Sequence, residues 1–327
     1  AGCLRSCDMK AIVVTSHGGP EVLEYKDVEP PQPSEGQLLV DVTYAGINYI
    51  DTYYRSGTYP SNPPYIPGTE GCGRVVEDPK GEIAPGTLVA WHAAPGSYAE
   101  QVAVDRNRLV AVPEGVDPAV AASMLLQGMT SHYLLHGVRE TKPGDTMVVT
   151  AGAGGVGLIL TQMAAAEEAT VYSVVSSDEK EKLAYEAGAT KVFRYGEDLA
   201  EQIKAENGGG GVDVVYDGVG QDTFEMCLNV TRPRGLVCSF GSASGDVEPF
   251  KIQELNAHGA LFLTRPSLKH YVATDDEFLM RAQAVARAVE EGTVKIRIHP
   301  PYELKNARQA HEDLQARKTT GSVVLKV

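Results

Sequence analysis

Cysteine, tryptophan and positive charge are all scarce in this chain of 327 residues. The five cysteines, Cys3, Cys7, Cys72, Cys227 and Cys238, fit neither a disulfide framework nor a zinc ribbon, so a reducing, cytoplasmic setting is expected. Lys and Arg total 29 against 43 Asp and Glu, a formal net charge of −14 with no basic block to interrupt it. Such a surface repels phosphate backbones and anionic membranes. Nucleic acid is therefore not expected as a partner, and only a local basic pocket for one small anion remains open. No uninterrupted apolar run approaches the roughly 18 residues a membrane-spanning helix needs. Disorder is excluded as well, because 43% hydrophobic and 22% charged residues are ordinary for a packed protein. At roughly 150 residues per domain, the length suggests two domains.

Residues 1–8 (AGCLRSCD) have no apolar core and are not a secretory signal. They read as an expression remnant or disordered extension, with Cys3 and Cys7 as two thiols on it rather than a metal pair. From Met9 to about Pro113 come short β-like runs (KAIVV, LLVDVTYAGI, GRVVE, LVAWH, YAEQVAV) punctuated by Gly and Pro. Runs that short and frequent suggest a small, partly open barrel or sandwich. From about Asp117 to Thr264 strand and helix patterns alternate. Strands are expected near 146–151, 170–175, 191–194, 212–217, 235–240 and 259–263, with helices at 155–167, 178–187 and 197–206. Such alternation means βαβ units and a parallel sheet. Further on, helices are expected at 277–291 and 305–317, and strands at 294–298 and 322–327, the last able to return to the first domain. The GGGG at 208–211 feeds the amino end of a strand, the wrong edge for a ligand, and reads as a connector.

The strongest motif follows the strand TMVVTA. Gly152, Gly154 and Gly157 form GxGxxG, with Gly155 and Val156 inside it, and a helix opens at once. Glycines allow a tight turn and leave room for a pyrophosphate at the helix amino terminus, where free N–H groups favour negative charge. This is the pattern of a dinucleotide-binding domain. An NAD-binding strand usually ends in an acid on the ribose 2′-hydroxyl. Here the second strand ends at Val175, followed by Ser176, Ser177 and Lys180. Two hydroxyls and an ammonium suit a 2′-phosphate, so NADPH is expected over NADH. Asp178 and Glu179 read as acids at a helix start.

At this point the sequence resembles the medium-chain dehydrogenase/reductase superfamily. More narrowly it resembles the zinc-free quinone oxidoreductases, which include zeta-crystallin and the bacterial NADPH:quinone reductases. The matching segments are AGINYIDTYYRSGTYP (45–60), PGTEGCG (67–73), LLQGMTSHYLL (125–135), AGAGGVG (151–157), VVYDGVGQDTFE (214–225), RGLVCSFGSASG (234–245), FLTRPSL (262–268) and ARKTTGSVVL (316–325). The resemblance implies an α/β fold: a GroES-like β-barrel catalytic domain from residues 9–123 and 267–327, and a doubly wound Rossmann domain, 124–266, with the cofactor between them. It places Asn48, Tyr49, Ile50, Asp51, Thr52 and Tyr53 at the nicotinamide side, and Thr130 and Tyr133 near ribose and phosphate. Gly155 and Val156 would meet the pyrophosphate. Ser176, Ser177 and Lys180 would hold the 2′-phosphate, with Tyr195 beside the adenosine. Val219, Phe240, Gly241, Ser242, Phe262, Leu263, Thr264 and Arg317 would line the remainder. The segment 77–86 is shorter than in most relatives, and Gln127 stands where some have Lys.

Many enzymes of the superfamily polarise an alcohol with zinc, which needs three Cys, His or carboxylate ligands and an open position. The superfamily's catalytic cysteine position corresponds to Asn48, and its GHE motif reads Gly68, Thr69, Glu70. The four-cysteine lobe is absent, and His132 and His136 read as helix histidines without a third ligand. No metal is expected, and alcohol oxidation becomes unfavoured. An acceptor needing little activation remains: a quinone or a conjugated carbonyl, reduced by hydride from the nicotinamide. Asn48, Tyr53 and Tyr59 are candidate hydrogen-bond donors to the acceptor oxygen, the two tyrosines being equally readable as aromatic walls. Asp51 and Arg55 are expected to form a local ion pair. The function implied is NADPH:quinone reduction. The alternatives are NADPH-dependent reduction of enal or enone double bonds, or a non-catalytic, crystallin-like NADPH-binding protein. The resemblance also implies a homodimer joined through the Rossmann sheet edge.

Overall fold

The computed structural model describes residues 8–327, so Cys3 and Cys7 lie outside it. The chain folds as two compact units. One comprises residues up to Gln127, Thr274–Glu291 and Ile296–Val327; the other comprises Gly128–Ala273 and Gly292–Lys295.

The first unit is built on β-structure. Strands β1 (Met9–Val14) and β2 (Leu23–Val28) pair antiparallel. Strand β3 (Gln37–Ile47) pairs antiparallel with β4 (Glu70–Glu77), β6 (Gln101–Asp105) and the carboxyl-terminal β15 (Val323–Lys326). Strands β5 (Leu88–Trp91) and β7 (Leu109–Ala111) extend the sheet on one side, and β14 (Tyr302–Glu303) on the other. Leu38, Val40 and Val42 of β3 point into a core with Trp91, Tyr98 and Val104, while Asp41 faces outward, the period-two pattern of a half-buried strand. Helix α1 (Tyr49–Ser56) follows β3 at once. Its start is fixed by the Asp51 carboxylate accepting the Asn48 N–H at 3.0 Å, and Gly57, at φ 83°, ends it in the left-handed region. Helix α2 (Pro118–Tyr133) carries the boundary between the units.

The second unit is a six-stranded parallel sheet. In chain order it runs β8 (Thr146–Val149), α3 (Gly155–Ala166), β9 (Thr170–Val175), α4 (Asp178–Glu186), β10 (Lys191–Arg194), α5 (Leu199–Glu206), β11 (Val212–Asp217), α6 (Phe224–Val230), β12 (Thr231–Ser239), α7 (Gln253–Ala257) and β13 (Phe262–Thr264). The spatial order is β10-β9-β8-β11-β12-β13, the doubly wound arrangement in which ligands meet the carboxyl ends of the strands. Val148, Val174 and Val215 are fully buried, as expected for strands covered on both faces, and this explains their unbroken apolar runs. Helix α8 (Leu268–Tyr271) closes this run, and α9 (Asp275–Glu290) and α10 (Ala307–Gln315) belong to the first unit.

Three expectations need correction. No strand forms over 294–298. The Gln162 side-chain amide bonds both the N–H and the C=O of Lys295, at 2.8 and 2.9 Å, and so takes the place of a neighbouring strand; a single bridge, Ile298 to Ser322, remains. The last parallel strand starts at Phe262, because Gly259 and Ala260 are in left-handed conformations that break extended backbone before it. The fifth begins at Thr231, four residues before the expected 235, with a register shift between Val212 and Val214.

Candidate active site

The phosphate loop lies between β8 and α3. A Cβ on Gly152 would sit 1.7 Å from Ser173 Oγ, and one on Gly157 would sit 2.3 Å from the Ala151 carbonyl, so both positions demand glycine. Ala151 itself holds φ 48°, a strained value for a residue with a side chain. Its N–H donates to Tyr195 Oη at 2.8 Å, and Tyr195 in turn donates to the Val174 carbonyl. Tyr195 thus ties the glycine loop to the end of β9. The loop and the amino end of α3 form a cradle of the shape a dinucleotide pyrophosphate requires.

At the end of β9, Ser177 caps α4 by accepting the Lys180 N–H, and Lys180 Nζ lies 3.4 Å from Ser176 Oγ. The neighbouring acids Asp178 and Glu181 are both engaged by Arg194, at 2.6 and 3.1 Å. Two hydroxyls and an ammonium thus cluster here, and the acids beside them are paired with an arginine.

The loops after β11 and β12 are knitted together. The Ala243 and Ser244 N–H groups donate to the Gly218 and Val219 carbonyls, and the Phe240 ring packs against Gly218. Buried Asp217 holds this assembly, accepting from the Thr150 and Thr223 hydroxyls and the Gly220 N–H. Val219, Phe240, Gly241 and Ser242 therefore share the carboxyl edge of the sheet with the glycine loop. Leu263 packs into the sheet's core, Thr264 pairs with Cys238, and Phe262 points outward, 65% exposed. Thr130 is half-buried on α2. Tyr133 is buried and stacked on Tyr271 at 4.4 Å, and burial pushes its phenol well up.

In the first unit, α1 gathers the remaining candidates. Asn48, Asp51 and Thr52 are buried, and Tyr49, Ile50 and Tyr53 are half-buried. Tyr53 sits edge-on to Tyr49 at 5.6 Å and against Tyr59 at 5.1 Å, an aromatic cluster of the kind a flat acceptor needs. Asn48 Nδ2 donates to Glu70 Oε1 at 2.7 Å, and the Leu126 N–H donates to Glu70 Oε2 at 3.0 Å. Asn48 is thus pinned by two carboxylates: Glu70 on its side chain and Asp51 on its backbone. Burial pushes Glu70 up to about 7 and Asp51 up to about 6, against the pull of their hydrogen bonds. Arg317 lies in the same unit, in a left-handed turn after α10, and is exposed.

Asp51 and Arg55 do not pair with each other. Asp51 accepts from Tyr98 at 2.7 Å, and Arg55 donates to His311, to Gln315 and to the Gly18 carbonyl. Position and spacing along the chain attach no role to Tyr98 or His311, whose partners lie tens to hundreds of residues away, nor to Asp217, which joins local Gly220 and Thr223 to distant Thr150. The Glu of the Gly68–Thr69–Glu70 triplet is the one signal that could have singled out Glu70. His132 and His136 rings lie 4.9 Å apart, with His136 held between Glu140 and Glu167. Among the described residues, no group of three or more His, Cys, Asp or Glu could hold a metal ion.

A doubly wound nucleotide unit and a β-rich unit with a buried polar helix start define the architecture of a two-domain, nucleotide-dependent oxidoreductase. Residues 34–114 match the alcohol dehydrogenase GroES-like domain, and residues 155–279 match the family described as zinc-binding dehydrogenase. The chain is 40% identical to a quinone oxidoreductase of Pseudomonas aeruginosa, over 97% of this chain and 99% of the relative. It is 35% identical to a 2-haloacrylate reductase of Burkholderia, over 96% and 98% of the two chains. A mycobacterial protein solved in complex with NADPH superimposes with a TM-score of 0.94 at 45% identity, covering 98% of this chain and all of that one. The chain belongs to the quinone oxidoreductases of the medium-chain dehydrogenase/reductase superfamily.

Proposed function

We propose that the protein is an NADPH-dependent quinone reductase working without a metal. The observation that carries this reading is the cluster of Ser176, Ser177 and Lys180 at the end of β9, where an NAD-binding chain would place an acid. The mycobacterial relative bound to NADPH and the quinone oxidoreductase relative support it. Gly152, Gly154, Gly155, Val156 and Gly157 receive the pyrophosphate. Ser176, Ser177 and Lys180 take the 2′-phosphate, with Tyr195 beside the adenosine. Thr130, Tyr133, Val219, Phe240, Gly241, Ser242, Phe262, Leu263, Thr264 and Arg317 complete the cofactor's surroundings.

Tyr49, Ile50, Asp51, Thr52 and Tyr53 serve the reacting end. Bound NADPH supplies the reducing equivalents, and the chain's own residues orient the acceptor and exclude water. One Asn48 N–H is committed to Glu70, which leaves the other to donate to the acceptor oxygen. Tyr53 and Tyr59 flank a flat ring and offer phenol protons. Zinc independence rests on Asn48 and Thr69 standing at two of the superfamily's ligand positions, neither being a zinc ligand by chemistry. The exposed edge strand β13, with Phe262 outward, supports a homodimer joined there. Three free buried cysteines support a cytoplasmic setting, and no helix among the described residues is long and apolar enough to cross a membrane.

A second reading is favoured by the 2-haloacrylate reductase relative: reduction of a conjugated double bond. Loss of NADPH absorbance with a benzoquinone and with an enone separates the two. Faster turnover of the quinone supports the proposal, and reduction of the enone alone would replace it. Tight NADPH binding without turnover of either would mean a non-catalytic binder. Asn48→Ala is expected to lower quinone turnover by about ten- to a hundredfold with NADPH binding retained.

A further inference from the structure

Asp51 and Arg55 occupy positions i and i+4 of α1, the spacing at which opposite charges normally pair directly. Each is 2% exposed, and a buried charge needs a partner. Here the link between them runs through two neutral side chains from elsewhere in the sequence. Arg55 Nη1 donates to His311 Nδ1 at 2.7 Å. A guanidinium can only donate, so Nδ1 carries no proton and the imidazole proton sits on Nε2. Nε2 lies 3.0 Å from Tyr98 Oη, and the Tyr98 hydroxyl donates to Asp51 Oδ2 at 2.7 Å. Tyr98 and His311 are both fully buried. Every donor in the series points from Arg55 toward Asp51, an arrangement in which each hydrogen bond polarises the next.

We propose that Tyr98 and His311 form a hydrogen-bonded relay that carries the charge of Arg55 to the Asp51 carboxylate and so fixes the start of α1, making His311 and Tyr98 positioning residues for Asn48. The inference rests on the reading that α1 serves the reacting end of the site. Asp51 Oδ2 is the acceptor shared by Tyr98 and the Asn48 N–H, so whatever holds that oxygen also holds the backbone from which the Asn48 amide projects. Other groups face the ends of the relay without joining it. Glu70 and Tyr65 feel Asp51, and Glu21, Tyr49 and Tyr65 feel Arg55. Burial first, and the Arg55 guanidinium second, hold the His311 imidazole down at about 3, in keeping with the neutral tautomer the geometry demands.

Two-bond 1H–15N correlation on the histidine-labelled full chain, with His311 assigned from the His311→Asn spectrum, reads that tautomer directly. The relay requires His311 to stay neutral, with its proton on Nε2, between about pH 5 and 8. Titration in that window, or a proton on Nδ1, overturns the relay whatever the activity. Tyr98→Phe then tests positioning. It keeps the ring and removes one hydrogen bond to the carboxylate, so the acid limb of kcat/KM for NADPH-driven quinone reduction moves up by about one pH unit. Val102→Ala, in the same core but outside the relay, controls for lost stability and leaves the limb in place. An unmoved limb in Tyr98→Phe would refute the positioning role. Full turnover in Asn48→Ala would instead refute the site reading and leave the His311 signature standing.

Discussion

Two carboxyl groups converge on Asn48, Glu70 on its side-chain amide and Asp51 on its backbone N–H, and both are held where ionisation is costly. A rise from 4.5 to about 7 for Glu70, or from 3.8 to about 6 for Asp51, corresponds to about 3 kcal/mol against the charged form. Because each folded-state value lies above the unfolded one, the folded state binds these protons more tightly. The stabilisation is complete below about pH 4 and is lost as pH rises through about 6 and 7. His92, pushed down to about 4 by burial, and His311, at about 3, act in the opposite sense. Their contribution is complete above about 6.5 and is lost as pH falls. Of these four groups, only the two carboxyls still change between about pH 6.5 and 8. Thermal unfolding should therefore show stability falling by about 1 kcal/mol across that window, and Glu70→Gln should flatten the slope. A flat profile would mean that Glu70 is already ionised in the folded protein at pH 6.5. None of this was legible from residue types alone. Asp51 and Arg55 read as an i, i+4 ion pair, and only the fold brings Tyr98 and His311 between them, from 47 and 256 positions away.

At the scale of elements, the glycine loop was the most legible feature, because its chemistry is local. A strand, three spaced glycines and a helix leave few alternatives, and the packing shows why. The Gly157 position has the Ala151 carbonyl 2.3 Å from where a Cβ would stand. Gly157→Ala should raise the NADPH dissociation constant by at least about tenfold in a fluorescence titration, since the loop must open to accept the methyl group. Gly210, with nothing within 4 Å, is the matched control, and Gly210→Ala should bind NADPH as the parent does. Equal binding by both variants would mean that the loop does not approach the cofactor closely. Elements defined by non-local partners were less legible. The 294–298 segment has strand composition, yet the Gln162 side chain takes the hydrogen bonds at Lys295 that a neighbouring strand would have supplied. Likewise, left-handed Gly259 and Ala260 delay the sixth strand, a backbone effect that apolar patterning does not register.

For the whole molecule, the alternation of strand and helix patterns is enough to announce βαβ units and a parallel sheet, whereas the doubly wound arrangement comes from the resemblance to a known superfamily and not from the periodicity. The sheet also ends on an uncovered strand, β13, with a large aromatic ring turned outward. If the proposed dimer forms through this edge, Phe262→Asp should convert it to a monomer in analytical ultracentrifugation with little change in melting temperature. A persistent dimer would move the interface elsewhere. The acidic surface and the small cluster of Ser176, Ser177 and Lys180 at the end of β9 act at different ranges: the first repels polyanions in general, and the second is proposed to accept one phosphate. The most direct test of that cluster is the ratio of kcat/KM for NADPH over NADH with one benzoquinone, in the parent and in Lys180→Ala. A parent ratio of at least about ten, falling toward one in the variant with NADH turnover unchanged, is the expected result. A parent ratio near one, or a Lys180→Ala variant that still prefers NADPH as strongly as the parent, would contradict it.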